Sequence, residues 1–106
     1  QSRLNKIEAM LEDEPDDAFL RYSRAMELDK LERHDESLEE FTRLTREVPP
    51  LVSAFFMAGQ QLARLGRIEE ARGLLQTGVD EARQQGEMHA AGEMSEFLDS
   101  LGALGP

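Results

Sequence analysis

The chain has 106 residues, enough for one domain that buries roughly two-thirds of its unfolded surface. It contains no cysteine, which excludes disulfides and thiolate chemistry. Its formal charge of −10, from 22 acidic and 12 basic residues, argues against nucleic acid as a partner. No apolar run could span a bilayer and no signal-peptide pattern opens the chain, so we expect a soluble, cytoplasmic protein without a membrane role.

The acidic residues are densest between Glu8 and Asp17, a stretch without Lys or Arg. A solvated helix end followed by a turn explains such a run, and a docking patch for a basic partner is the alternative.

The first predicted helix covers about residues 2–13, where apolar side chains recur with helical spacing. These side chains are Leu4, Ile7, Met10 and Leu11. Pro15 ends the helix, and Asp16 or Asp17 can cap the next one. The second helix, about residues 18–32, has apolar residues on several faces, which indicates packing on more than one side.

Asp35 is the predicted N-cap of a third helix, which Pro49 and Pro50 end. Its single apolar stripe consists of Leu38, Phe41, Leu44, Thr45 and Val48. The fourth helix covers about residues 51–65 and is closed by Gly66.

The fifth helix covers about residues 67–85. Gly73 and Gly78 lie inside it, and each lowers the intrinsic stability of the helix by up to about 1 kcal/mol relative to Ala. We expect close helix contacts to compensate. A last helix covers about residues 87–101, and the tail from Gly102 is expected to fray.

Two parts of the chain are similar at a spacing of 34 residues, because residues 17–48 align with residues 51–82 without a gap. The identical pairs are Leu28 and Leu62, Leu31 and Leu65, Arg33 and Arg67, Glu36 and Glu70, and Glu47 and Glu81. Tyr22 also aligns with Phe56, so size and polarity are repeated. A repeat of this period predicts a stacked helical array.

With these residues the chain resembles the tetratricopeptide repeat (TPR) family, whose units are helix-turn-helix pairs. The resemblance covers about residues 3–85. In the second unit it depends on Gly59, Leu62, Gly66 and Ala71, with Phe55 where the family usually has tryptophan. In the first unit the matching residues are Ala25, Ser37, Phe41 and Pro49.

The resemblance implies an all-α, TPR-like right-handed helix-turn-helix solenoid of about six antiparallel helices, as a single domain over residues 1–106. Its expected parts are a half-repeat helix (1–15), a first repeat (16–50), a second repeat (51–86), a C-terminal capping helix (87–102) and a tail (103–106).

Arg21 and Arg24 depart from the family pattern, because they occupy first-helix positions that are usually large and apolar. We expect the packing against the first helix to be looser or partly ionic. One of the two should reach an acidic residue of that helix, such as Glu8 or Glu12.

In TPR proteins the first helices of successive units line a concave groove that holds a partner peptide. Carried onto this chain by the alignment, the groove consists of Phe19, Tyr22, Met26, Lys30, Phe56, Met57, Gln60 and Arg64. Some relatives clamp a carboxylate with Lys and Asn, but here Tyr22 and Met26 stand at the matching positions. An apolar or mixed peptide is expected, with Lys30 and Arg64 able to attract an acidic flank. Alternatively, the first or last helix covers these residues.

No catalytic, cofactor or metal site is predicted. His34 lies at a helix junction, where a packing role is expected. His89 and Glu93 could supply two metal ligands, but a zinc site needs three or four. There is no glycine-rich phosphate loop and no nucleophile with a recognisable base nearby. We therefore expect a non-enzymatic adaptor or scaffold that binds a protein or peptide; the alternative is self-association into a homo-oligomer.

Overall fold

The computed structural model describes residues 2–104. In this range the chain forms six helices and no strand, which confirms the predicted all-α class. The helices are α1 (Arg3–Asp13), α2 (Ala18–Lys30), α3 (His34–Leu44), α4 (Val52–Arg64), α5 (Ile68–Gln84) and α6 (Met88–Leu104). Helix α6 continues past Gly102, where its end was predicted. Of the predicted tail, residues 105 and 106 lie outside the described range.

The helices belong to two compact units, the first ending at Leu51 and the second beginning at Val52. The first contains α1 to α3 and the second contains α4 to α6. The boundary between the units lies one residue after the predicted beginning of the second repeat at residue 51. The organisation as one domain with five parts stays a prediction.

The core of the first unit forms between α2 and α3, and α1 adds Leu4 and Ile7 to it. The fully buried apolar residues there are Ala25, Leu28, Phe41 and Leu44. Ser37 is buried with them, and its hydroxyl donates a hydrogen bond to the carbonyl oxygen of Ala25 at 2.7 Å. This bond satisfies a polar group that would be costly to bury unpaired, which explains how a serine is accommodated in this core.

Side-chain caps begin the first two helices. The hydroxyl of Ser2 accepts a hydrogen bond from the N–H of Asn5 at 3.1 Å, and the carboxylate of Asp17 accepts one from the N–H of Leu20 at 2.9 Å. Asp17 is thus the residue, of the two predicted, that caps α2.

The prediction that Asp35 caps α3 is wrong. Arg33 occupies the N-cap position, and Asp35 lies in the first helical turn, where its charge suits the positive end of the helix dipole. The helix also ends at Leu44, earlier than predicted, so Val48 is 98% exposed and lies outside the apolar stripe.

The turns after α2 and α4 have the same backbone geometry. Glu32 and Gly66 both have a positive φ, of 63° and 80°. The N–H groups of the residues that follow, Arg33 and Arg67, each donate a hydrogen bond of 2.9 Å to a carbonyl oxygen in the last turn of the preceding helix. Those carbonyls belong to Leu28 and Leu62. The 6→1 bond and the left-handed residue define a Schellman helix end, and the second unit has glycine at the position where the first has glutamate.

We expect Glu32→Gly to raise the free energy of unfolding by up to about 1 kcal/mol. A left-handed backbone costs a residue with a side chain roughly 1–2 kcal/mol, and the larger unfolded-state entropy of glycine offsets part of the gain. Urea denaturation measures the change. The reciprocal substitution Gly66→Glu should lower stability by a similar amount, and a destabilised Glu32→Gly variant would contradict the argument.

The beginnings of α3 and α5 share a forked ion pair. Arg33 bonds Glu36 with Nε and Nη2 at 2.8 and 2.9 Å, and Arg67 bonds Glu70 in the same manner. Hydrogen bonds from these arginines hold the pKa of Glu36 and of Glu70 below its ordinary value. The repeated Arg-x-x-Glu pattern is therefore a local feature of each second helix.

In the second unit, α5 packs closely against α4 and α6 because two glycines lack side chains. A Cβ on Gly59 would lie 2.7 Å from Leu75, and one on Gly78 would lie 2.6 Å from the Cβ of Phe55. The expected close contact is thus present at Gly78. At Gly73 the expectation is wrong, since no atom of another part of the structure lies within 4 Å of the position that a Cβ would occupy.

None of the helices that the structure describes combines the length and the apolar character needed to cross a membrane.

Candidate functional site

The four groove residues predicted in the first unit lie together. Phe19, Tyr22, Met26 and Lys30 occupy successive turns of α2 and line a cleft of about 220 Å³. The remaining lining residues are Arg3, Ser23 and Glu27. Phe19 is 75% exposed, so the cleft offers an aromatic surface that the unit itself does not cover.

The inner side of this cleft is held in place by packing and charge. The ring of Tyr22 meets Phe41 edge-on, with centroids 5.3 Å apart and an interplanar angle of 66°. The carboxylate of Glu27, largely buried, lies 3.5 Å from the Nε of Arg3. Two cations, Arg3 and Lys30, therefore accompany one carboxylate, and the charged part of the cleft favours an anionic group.

In the second unit the predicted residues are divided. Gln60 and Arg64 of α4 line a cleft of about 300 Å³. The other lining residues are Ala63, Phe97, Ser100 and Leu101. Phe56 and Met57 do not line it. Phe56 packs instead on Phe97 of α6, with ring centroids 5.9 Å apart.

Helix α6 therefore does more than cap the unit, because it partly covers Phe56 and supplies one wall of the cleft. Sequence reasoning missed Phe97 as a site residue. Phe97 aligns with Leu62 only when the 34-residue repeat is shifted by one residue, and this weak match is the one signal that could have identified it. In the first unit the missed residues are Arg3, Ser23 and Glu27, of which the repeat pattern gives no sign.

The expectation for Arg21 and Arg24 is confirmed. The Nε of Arg24 donates a hydrogen bond to Glu8 of α1 at 3.0 Å. Arg21 bonds Glu40 of α3 at 3.2 Å and Glu47 at 2.9 Å. Arg24 also lies 3.9 Å from Glu40, so a connected set of charges joins the three helices of the first unit.

Arg21 is the most enclosed cation of this set, with 14% of its side chain exposed. Burial lowers the pKa of its guanidinium, but the hydrogen bonds and negative charges of Glu47 and Glu40 outweigh burial, so the pKa lies above its ordinary value. Arg21 stays charged. Its partners satisfy it in a partly desolvated position, where loss of one partner is more costly than at a surface.

The histidines have no enclosed site around them. The Nδ1 of His34 lies 2.7 Å from Asp29, but 56% of the side chain is exposed, so the predicted packing role is wrong. His89 pairs with Glu93 at 3.7 Å and is 92% exposed. Within the part of the chain that the structure describes, no three His, Asp or Glu side chains are grouped to hold a metal ion.

Two solved structures are similar to this chain over most of its length. A tetratricopeptide repeat domain protein from Salinibacter ruber has a TM-score of 0.80 at 27% identity, over 85% of this chain and 91% of that one. A protein from Bordetella parapertussis has a TM-score of 0.81 at 24% identity, over 97% and 90%. No family model matches the sequence, and no curated protein matches it significantly.

The chain is TPR-like, as the resemblance of its sequence implies. Folds of this kind typically serve as protein-interaction modules without catalytic activity.

Proposed function

We propose that this TPR-like chain is a non-enzymatic adaptor or scaffold of the cytoplasm that binds a peptide segment of another protein along its first helices, α2 and α4. The observation that carries the proposal is the α2 cleft. All four residues assigned to the groove from the first repeat line it, and one of them, Phe19, is an aromatic residue that is 75% exposed.

The chemistry of the cleft suits a mixed peptide. Phe19 and Tyr22 offer rigid contact area at low entropic cost, and Met26 adapts to irregular apolar side chains. Arg3 and Lys30 attract an acidic flank. The contact of Tyr22 with Phe41 and the ion pairs of Arg21 hold the helix in position, so the peptide need not order its receptor.

The second unit supports the same chemistry with a different set of side chains. Phe97 gives apolar surface, and Gln60 and Ser100 add hydrogen-bonding groups beside the cation of Arg64. An apolar side chain followed by an acidic one is the simplest sequence that suits each cleft taken by itself.

A peptide array tests the proposal one face at a time. Met26→Gln combined with Lys30→Glu should abolish or weaken at least about tenfold the binding of peptides that hold an apolar residue beside an acidic one, because contact area and a charge are lost together. Met57→Gln combined with Arg64→Glu tests the α4 face, where Arg64 lines the cleft and Met57 lies seven residues before it on the same side of the helix. Tyr22 and Phe56 are unsuitable targets, since both pack on other aromatic rings.

The controls carry the same chemical changes elsewhere. Met88→Gln with Lys6→Glu matches the α2 variant, and Met88→Gln with Arg83→Glu matches the α4 variant; all three control residues are exposed. Equal effects of test and control variants would refute binding at these faces.

Self-association is the second candidate. The helices at the two ends of the chain each carry an exposed methionine, Met10 at 49% and Met88 at 62%, and exposed apolar groups on terminal repeats can stack on another copy. Light scattering over a range of concentrations separates the candidates, because an adaptor remains monomeric and a self-associating module does not.

A further inference from the structure

A separate cleft of about 380 Å³ lies where the end of α1 meets the beginning of α2. Its lining residues are Met10, Asp13, Glu14, Asp17, Phe19 and Leu20. The volume is within the range of pockets that bind ligands. Only Phe19 is shared with the α2 cleft.

The apolar part of this cleft is unusually open. Met10 is 49% exposed and Phe19 is 75% exposed. Single exposed apolar residues are common on protein surfaces. Here a methionine and an aromatic ring border one cavity, which is a suitable seat for an apolar side chain of a partner.

The charged part of the cleft lacks cations of its own. Most of the other glutamates in the first unit are paired with arginine, including Glu8, Glu40 and Glu47. Among the described residues, no ion pair is formed by the five carboxylates of residues 12–17. Two of these five, Asp13 and Glu14, line the cleft and have no assigned capping role, whereas Asp17 caps α2.

We propose that this cleft is a second docking site, specific for a basic segment of a partner protein. An apolar side chain of that segment lies between Met10 and Phe19, and Lys or Arg side chains of the segment pair with Asp13 and Glu14. Charge complementarity selects this occupant. At this cleft, Asp13 and Glu14 disfavour a second copy of the chain, with its formal charge of −10, and an anionic membrane surface as occupants. This proposal is separate from the proposed peptide binding along α2 and α4, although Phe19 of α2 belongs to both clefts of the first unit.

Backbone-amide NMR of the full chain tests the site with a defined probe. The probe is the blocked peptide Gly-Lys-Lys-Leu-Lys-Gly, with Gly-Lys-Lys-Ser-Lys-Gly and Gly-Glu-Glu-Leu-Glu-Gly as comparisons. We expect the basic leucine peptide to shift the amides at the end of α1 and the beginning of α2. The serine peptide should bind more weakly, and the acidic peptide should leave these amides unchanged.

Two matched pairs of variants locate the binding. Asp13→Asn combined with Glu14→Gln should raise the dissociation constant of the basic leucine peptide about tenfold, because two exposed ion pairs are lost together. Glu12→Gln combined with Asp16→Asn removes the same charge from carboxylates that do not line the cleft. This variant should raise the dissociation constant by less than about threefold, because salt screens charges that lie farther from the bound peptide. Met10→Gln should weaken binding, whereas Met88→Gln should not.

Several results would overturn the proposal. Equal losses in the two charge variants would show attraction to overall charge without a site. Shifts confined to other helices, or preferential binding of the acidic peptide, would place the partner elsewhere. Concentration-dependent broadening at Met10 and Phe19 without peptide would assign the cleft to a second copy. Circular dichroism confirms that each variant keeps its helices, so that a loss of binding reports on the cleft.

Discussion

The Phe41→Ala variant should lose about 3–5 kcal/mol of unfolding free energy, the usual cost of removing a buried phenyl group. Phe41 has no exposed surface and lies in the core that α2 and α3 share. Leu28 and Leu44 are also fully buried there, and close-packed neighbours relax only partly into a vacated space. The size of the cavity, more than the loss of one ring contact, sets this cost.

The same change should also affect the candidate site. Tyr22, which lines the α2 cleft, loses its edge-on contact with Phe41, so its ring becomes free to rotate. Urea denaturation gives the stability, and hydrogen exchange should show faster opening of α1 to α3.

Phe19→Ala is the matched control. It makes the identical substitution on a ring that is 75% exposed, so stability should change by less than about 0.5 kcal/mol. If both variants lost the same stability, the placement of Phe41 in the core shared by α2 and α3 would be wrong.

The second large effect is expected in α5. A Cβ at Gly78 would lie 2.6 Å from the Cβ of Phe55 and 2.8 Å from the sulfur of Met94. The Met94 side chain can turn away, but the Cβ of Phe55 is fixed to its backbone. Gly78→Ala must therefore move α5 relative to α4, and it should cost about 1–3 kcal/mol.

Gly73→Ala gives the opposite sign in the same helix. Nothing lies within 4 Å of the added methyl group, so the higher helix propensity of alanine should raise stability by up to about 1 kcal/mol. Urea denaturation measures the free energy of unfolding of both variants, and each of the two glycine substitutions serves as the control for the other. Stabilisation by Gly78→Ala would contradict the close packing, and destabilisation by Gly73→Ala would contradict the open surface.

The sequence predicted the helices well because burial and turn formation leave local patterns. Apolar spacing places the core residues Phe41 and Leu44 on one face of α3, and Pro15 and Gly66 mark helix ends through backbone restrictions that act within a few residues. What depended on the approach of a second helix was less predictable. Gly73 and Gly78 look alike in the sequence, but only Gly78 faces a neighbour.

The candidate site shows the same division. Phe19, Tyr22, Met26 and Lys30 could be placed together because they occupy one face of one helix. The contact between Phe56 and Phe97 joins helices that are not consecutive in the chain, and the repeat pattern loses its phase before α6. The predictions that placed Val48 in an apolar stripe and His34 in a packing role were wrong. The apolar character of a residue, or its position at a helix junction, does not reveal whether the backbone there directs the side chain into the core or into solvent.

Phe19 lines two clefts of the first unit with a single ring. If each cleft holds a ligand that contacts this ring, the two ligands compete for one rotamer of one side chain. Linkage then requires each to weaken the affinity of the other by the same factor. One aromatic residue would make the first unit an exchanger, which releases one bound segment as it takes up another.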